Sequence, residues 1–443
     1  MNKNESIITK ERLDSLSRLR RNMRESALAE AGGGVTPETA SEILSLLDLY
    51  DERMLLWFAG LYDPEIGGFY YSNMARDTKL FLPDLESTRQ TLNFFAVSGL
   101  IPPRDNIVSG LPESIRDKVV DFTLSLQDAD GFFYHPQWGK KIYAARRGRD
   151  FDWARMILSH AGVEPKYSYP ITKNASDGKN KLPEYLQSVD ALRAELAMKD
   201  LSSESYRWGH WTAAQATLIK AAGEEYIKVF EDWFVSSIRP DNGLWQEGVN
   251  YDSVNGLMKI SAACTVLGIY LPYSDKSMES AIQVALSDEK ITFCCEFYNP
   301  WYAINNVVKL AKMVGKDEDL TRIHEILREN APALVRSTKQ KILKCRRDEG
   351  VFSYGTTCTI EISQGASVTV KGTVEGDVNA TTICSTGTVY AMLTALGIPN
   401  IPLFTQEDGE LLIELMMNAP PVKKIYENPY GDSLPYPKAL DNK

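Results

Sequence analysis

The stretch GGFYYSNMARDTKLFLPDLESTRQTLNFFAVSG, residues 67–99, decides the fold. It opens on two glycines followed by aromatics, Gly67-Gly68-Phe69-Tyr70, and closes on a single glycine, Gly99. Between them, residues 85–98 carry apolar side chains at three- and four-residue spacing, the period of a packed amphipathic helix. Glycine adopts positive φ without a Cβ penalty, so the opening predicts a tight turn and Gly99 a left-handed helix cap. The aromatics after the turn are large enough to plug a gap between neighbouring helices.

The same punctuation recurs along the chain. Asp130-Gly131-Phe132-Phe133-Tyr134, Asn242-Gly243-Leu244-Trp245 and Glu349-Gly350-Val351-Phe352 each place a polar residue, a glycine and an apolar or aromatic pair. Glu296-Phe297-Tyr298 reads as a copy that lacks its glycine. Gly68 and Gly131 are 63 residues apart, Gly243 and Gly350 are 107 apart, so the unit is near 55 residues, enough for two helices. Segments 209–222, 253–268, 301–314 and 378–397 repeat the helical period and run to Gly223, Gly268, Gly315 and Gly397. Second amphipathic segments follow at 114–126, 224–238 and 277–286. Helix, glycine, helix and aromatic turn, repeated about six times, predict an all-α protein. The expected form is an α/α toroid of about six helix hairpins around a central cavity, although an open solenoid would share the period.

Three regions depart from the rhythm. Residues 1–36 form an N-terminal helical extension, with a helix at 10–29 and a break at Gly32-Gly33-Gly34, before a segment at 37–60 opens the toroid proper, 37–418. An insertion at 137–183 holds the basic run Lys140, Lys141, Arg146, Arg147 and Arg149, expected as a surface loop, and a helix near 150–161. At 357–373 the period changes to alternation, with Ile360, Ile362, Val368 and Val370 around Gly365, which predicts a β-hairpin. Residues 419–443 have no period and are expected to lie as an extended tail.

Composition limits the functions available. Of 443 residues, 44% are hydrophobic and 24% charged, which excludes wholesale disorder and a disulfide miniprotein. With 49 basic against 59 acidic side chains the net charge is −10, a field that repels phosphate backbones and anionic lipid, so neither nucleic acid nor membrane is an expected partner. The first residues lack the apolar region of a secretory signal. The six cysteines show no CxxC or Cys/His spacing, so a cytoplasmic protein with buried thiols and no metal is expected. No cofactor motif is present, and the sequence leaves the oligomeric state open.

The turn-and-helix units resemble those of the terpenoid cyclase and protein prenyltransferase toroids. Gly67-Gly68-Phe69, Asp84-Leu85-Glu86-Ser87-Thr88 and Gly99 are similar to their GGF…ST…LLG pattern, and Gly376-Asp377-Val378-Asn379-Ala380-Thr381-Thr382, with Cys384 and Leu396-Gly397-Ile398, is the nearest copy. The resemblance covers roughly residues 40–415 and implies the fold more than the activity. The prenyltransferase zinc set begins with an Asp-x-Cys pair, which does not occur here. The cyclase DxDDTA motif puts its proton donor where this chain has Asn379, beside Ala380, and no DDxxD pair is present. Asp377 therefore reads as a helix cap before a catalytic remnant.

The third chemistry of helical toroids is that of carbohydrates, which asks for carboxylates or a His or Tyr base beside aromatic platforms. Asp130-Gly131-Phe132-Phe133-Tyr134-His135 looks like the DGLFYH-type turn of unsaturated glucuronyl hydrolases. Trp208-Gly209-His210-Trp211, Glu247-Gly248-Val249-Asn250-Tyr251-Asp252 and Asn299-Pro300-Trp301-Tyr302 open three neighbouring inner helices in this reading. Glu247, His210 and Tyr251 are then the catalytic candidates, and Glu86, Trp211, Trp301, Asp252 and Asp377 the substrate-binding ones. The expected function is a glycoside hydrolase or lyase on an oligosaccharide. The alternatives are a toroid with diverged or lost isoprenoid chemistry and a non-catalytic scaffold binding a small molecule or partner.

Overall fold

The computed structural model describes residues 7–31, 35–78, 80–170 and 183–422. Helices take up 63% of it, and the sheet is a single two-stranded hairpin. The first half runs α1 (Lys10–Glu30), α2 (Pro37–Leu47), α3 (Glu52–Leu61), α4 (Asn73–Asp77), α5 (Leu85–Ser98), α6 (Glu113–Ser125), α7 (Ala144–Ala161) and α8 (Val189–Ala197). The second runs α9 (Leu201–Ala222), α10 (Glu224–Ser237), α11 (Tyr251–Leu267), α12 (Ser274–Leu286), α13 (Cys295–Met313) and α14 (Asp317–Cys345). The hairpin β1 (Ile362–Ser363) and β2 (Ala366–Ser367) then precedes α15 (Val378–Thr382), a π-turn over Ile383–Gly387, α16 (Thr388–Ala395) and α17 (Gln406–Met417).

The repeated turns form as the glycines require. Gly67, Gly131, Gly243 and Gly350 have φ of +87°, +90°, +66° and +78°. Three of these turns close with an antiparallel bridge, Tyr62 to Phe69, Gln127 to Phe133 and Arg346 to Phe352. The aromatic that follows then enters the core. Phe69 meets Phe95 of α5 edge-on at 5.7 Å, and Phe58 of α3 stacks on Phe94 at 4.7 Å. Each such ring contributes roughly 1.5–3 kcal/mol when fully buried.

Helix starts carry most of the differences from the sequence reading. Segment 37–60 is two helices, because the chain breaks at 48–51 and Asp51 caps α3. α9 begins at Leu201, capped by Asp200, and bends at Glu204 (φ −134°, ψ 44°), so His210 sits well inside it and not at its mouth. α13 begins at Cys295 and includes Glu296-Phe297-Tyr298, which is helix and not a degenerate turn. α7 begins at Ala144 and takes in most of the basic run expected as a loop. Gly223 has φ +122° and ψ 173°, outside the left-handed helical region expected of it. The hairpin is shorter than 357–373, pairing Ile362 with Ser367 and Ser363 with Ala366. The Gly32-Gly33-Gly34 break, residues 171–182 of the insertion and the tail from 423 lie outside the described residues.

One set of helices packs side by side: α9 on α11, α11 on α13, α13 on α16, α15 on α5 and α5 on α7. A second set covers them, with α10 on α9, α12 on α13, α14 on α12 and α2, and α17 on α3. The two ends of the chain are tied together. Arg20 pairs with Asp408 at 2.6 Å, and Arg24 donates to the Tyr50 and Leu403 carbonyls.

The α9–α11 contact is unusually close, and two glycines allow it. A Cβ on Gly256 would run into the Ser205 hydroxyl, and one on Gly209 would lie 2.8 Å from Ile260 Cγ1. Alanine favours a helix over glycine by up to about 1 kcal/mol, whereas overpacking costs about 1–3 kcal/mol. Gly256→Ala is therefore expected to destabilise the protein. Gly148→Ala, in α7 with nothing within 4 Å, is expected to stabilise it by about 0.5–1 kcal/mol. Urea unfolding of the two variants checks the pair, and equal effects would remove the close-packing account.

Candidate functional site

Polar side chains converge in two places, one buried and one open. The buried one is built by the starts of α5 and α7 and by the hairpin. Asp84 caps α5, accepting from the Ser87 amide and hydroxyl. Glu86 lies on the first turn of the same helix, and Arg146 and Asp150 are one turn apart on α7. The Arg146 guanidinium donates to Glu86 at 2.5 Å, Asp150 at 2.9 Å, Asp84 at 3.2 Å and the Ser363 carbonyl at 3.0 Å. Ser363 Oγ completes the ring by donating to Glu86 at 3.1 Å. Trp138 and Trp153 lie over the guanidinium at 5.1 and 5.3 Å.

One arginine faces three carboxylates here, and all four side chains are at most 3% exposed. Burial works against the Arg146 charge, but Asp150, Glu86 and Asp84 outweigh it and hold its pKa above the ordinary value. Burial pushes Asp150 up to about 7 against the pull of Arg146, and pushes Glu86 up as well. The cluster therefore holds a proton near neutrality. His135 stands beside it, stacked on Trp138 at 4.0 Å, with Nε2 facing the Pro83 carbonyl and Nδ1 accepting from the Gln137 amide. Burial pushes it down to about 4. A neutral ring with both nitrogens used is a structural part, and it accounts for the His of the Asp130–His135 turn.

The open place lies on α9, α11 and α13. Tyr251, Asn255 and Lys259 recur every fourth residue, so they share one face of α11. Asn299 of α13 donates to Tyr251 Oη at 2.9 Å and to Asn255 Oδ1 at 3.0 Å. Tyr206 and His210, also four apart on α9, stack at 6.2 Å, and Lys259 Nζ lies 5.9 Å from the Tyr206 ring. Tyr298 and Tyr302 pair at 4.9 Å, and the Cys295 thiol meets Tyr354 Oη at 3.1 Å. Burial, with the Lys259 and Arg149 charges, drives His210 toward its neutral form. Burial and Arg149 lower Lys259, while burial keeps the Tyr251 hydroxyl protonated. The hydrogen bond with Cys294, then burial, keep the Cys295 thiol protonated, which makes it a poor nucleophile.

The residues proposed from sequence divide between these places and the core. His210 and Tyr251 stand on the open face. Glu247 is exposed, and only its backbone carbonyl is engaged, by Asn242 Nδ2. Asp252 is exposed and accepts from Gln246. Trp211 points away from His210, against Tyr185 and Phe230 of α10 with Lys199 over it at 4.6 Å. Trp301 is fully buried and donates to Thr338 at 2.8 Å, so it offers no stacking surface. Glu86 belongs to the buried cluster. Asp377 is a buried cap that accepts from the Ala380 and Tyr354 amides and from the Thr359 and Tyr71 hydroxyls. Sequence reasoning missed Tyr206, Asn255, Lys259, Asn299 and the role of Arg146. The signal for the α11 set was its four-residue spacing of polar groups in an otherwise small and apolar helix. Among the described residues no group of three or more His, Cys, Asp or Glu is arranged to hold a metal, and no helix is long and apolar enough to cross a membrane.

Arg146→Met leaves three carboxylates without their partner and is expected to cost roughly 3–5 kcal/mol in chemical unfolding. The raised Asp150 pKa makes folding take up a proton, so its contribution is present at acid pH and lost as pH rises through about 7. Below about pH 6.5 the depressed His135 opposes this, so the fall should be read between about pH 6.5 and 8, and Asp150→Asn should flatten it. Asp377→Ala loses a cap worth about 1 kcal/mol and strands buried donors at about 1–3 kcal/mol, so roughly 2–4 kcal/mol of stability should go, measured the same way. No protein-family model, curated protein or solved structure matches the chain.

Proposed function

We propose that the chain is a carbohydrate-active α/α toroid that binds an oligosaccharide on the face of α9, α11 and α13 and cleaves it by hydrolysis or elimination. The observation that carries the reading is the Tyr251–Asn299–Asn255 hydrogen-bond network beside the partly exposed rings of Tyr206, Tyr302 and Tyr354. Amides and phenols matched to aromatic faces are what sugar hydroxyls and sugar rings require. The run of contacts from α9 through α11, α13, α15–α16 and α5 to α7 supports a ring. In the catalytic assignment His210, driven toward its neutral form, is the proton acceptor, and the protonated Tyr251 hydroxyl is the donor to a leaving oxygen. The same reading sets the protein in the cytoplasm, where its six cysteines stay as thiols. The isoprenoid alternative has less support, because Asp377 is occupied as a cap and the open face is lined by amides and hydroxyls.

The test is a panel of neutral and acidic oligosaccharides, followed by calorimetry for binding and chromatography for shortened products. At least one glycan should bind and be cleaved. Tyr251→Phe and His210→Gln should abolish cleavage, and Asn299→Leu should weaken binding by about 2–10-fold, the worth of a neutral hydrogen bond or so. Binding without cleavage across the panel would leave the scaffold alternative. No binding at all would sink the carbohydrate reading.

A further inference from the structure

The open face holds positive charge that the protein does not neutralise. Among the described residues, Lys259, His210 and Arg149 form no ion pair with any carboxylate, in a chain whose net charge is −10. Lys259 is only partly exposed and sits over the Tyr206 ring at 5.9 Å, and the same ring stacks on His210. The close α9–α11 contact at Gly209, whose Cβ would lie 3.0 Å from Lys259 Cβ, brings the Lys259 ammonium and the His210 imidazole to one edge of the two helices. Arg149 of α7 is exposed, held over Trp153 at 5.3 Å and aimed by the Gln364 Oε1 that accepts from it at 2.6 Å.

The acids nearby are committed elsewhere. Glu86, whose charge acts on Arg149, is already bound by Arg146 and Ser363. Asp252 lies two turns before Lys259 on α11, about 10 Å along the axis, and accepts from Gln246. Glu296 at the start of α13 accepts the Phe293 and Thr292 amides. A partly desolvated ammonium beside an imidazole and a guanidinium, with no counter-charge of its own, is stabilised by a small anion.

We propose that Lys259 of α11 and Arg149 of α7 seat the carboxylate of an acidic sugar beside the neutral His210 ring, so that the oligosaccharide bound on this face contains uronate residues. The inference rests on the carbohydrate reading and narrows its substrate class. Lys259 supplies a point charge to the carboxylate, and Arg149, whose charge acts on both Lys259 and His210, adds to the positive field there. Pairing the carboxylate with these cations withdraws charge from it and so makes the neighbouring sugar C–H more acidic. That favours elimination over hydrolysis as the cleavage step: His210 takes the C5 proton, the C4–O bond breaks, and Tyr251 protonates the leaving oxygen.

The test measures calorimetric affinity of the full chain for four ligands: a uronate oligosaccharide, its neutral counterpart with reduced carboxyls, a sulfated neutral oligosaccharide and a non-sugar dicarboxylate. The uronate should bind roughly tenfold to a hundredfold more tightly than the neutral sugar, and the preference should shrink with added salt. Lys259→Met, which keeps the packing stem, should remove the preference of uronate over neutral sugar, and Lys259→Arg should restore most of it. Equal affinity for uronate and neutral sugars would overturn the inference and leave the carbohydrate reading standing. Preference for the sulfated ligand would overturn the carboxylate assignment. A non-sugar dicarboxylate bound in a Lys259-dependent way, with no glycan bound, would overturn the carbohydrate reading and keep the anion seat. No binding of any of these overturns both.

Discussion

Arg146 is buried to 0% exposure, and a guanidinium in that position has to be met by negative charge or it costs several kcal/mol. The chain meets it three times over, with Asp84, Glu86 and Asp150, and adds the Ser363 carbonyl, while the Ser363 hydroxyl donates to Glu86. Those partners come from three separate stretches of sequence. The α5 start, α7 and the hairpin are therefore held in one arrangement by a single side chain. Two of the three carboxylates are also helix-start residues, so the cluster fixes the position of α5 along its axis as well as its neighbours. Because three acids exceed one base, the arrangement tolerates burial only by keeping a proton, which couples this part of the fold to pH.

The second constraint is steric. α9 and α11 approach until a Cβ on Gly256 has no room beside Ser205, and Gly209 allows the reciprocal contact with Lys259 and Ile260. Helices that come so close place residues one position from the contact beside each other on its rim. His210 follows Gly209 directly, and Lys259 precedes Ile260, so both flank the Tyr206 ring at the edge of the crossing. The open face thus derives from packing: small residues inside the contact decide which polar ones line its border. The Asn299 bridge to Tyr251 and Asn255 extends the same border to α13.

The parts of the fold legible in the sequence are those written by local rules. Residues 85–98 form a helix with the predicted bounds, because Asp84 and Gly99 cap it in the ordinary way. The four turn glycines take positive φ, because the chain reverses there. Where a tertiary contact decides, the reading slips. Asp200 caps the true start of α9 at Leu201, but the bend at Glu204 interrupts the helical period, so the pattern alone places His210 at a helix mouth. Trp301 has the composition of a stacking platform, but Thr338 of α14, 37 residues on, takes its N–H into the core. Arg146 is hidden for a related reason. In sequence it belongs to a basic run with Lys140 and Arg149, and only the acids of α5, 60 and 62 residues away, show that it points inward.

The two polar places are joined by the hairpin, which gives the fold a way to connect buried charge with the open face. Ser363 binds the Arg146 cluster, and the adjacent Gln364, held at φ +50°, binds Arg149. A non-glycine residue at positive φ costs on the order of 1 kcal/mol or more, so the bonds on either side have to hold it there. Tyr143, just before α7, packs on the Gly365 backbone and completes the support. Consecutive residues of the hairpin therefore touch an arginine at the centre of a proton-holding cluster and an arginine that faces solvent. Arg149 is thus held both by the hairpin residue next to the one that binds Arg146 and by Trp153 of its own helix.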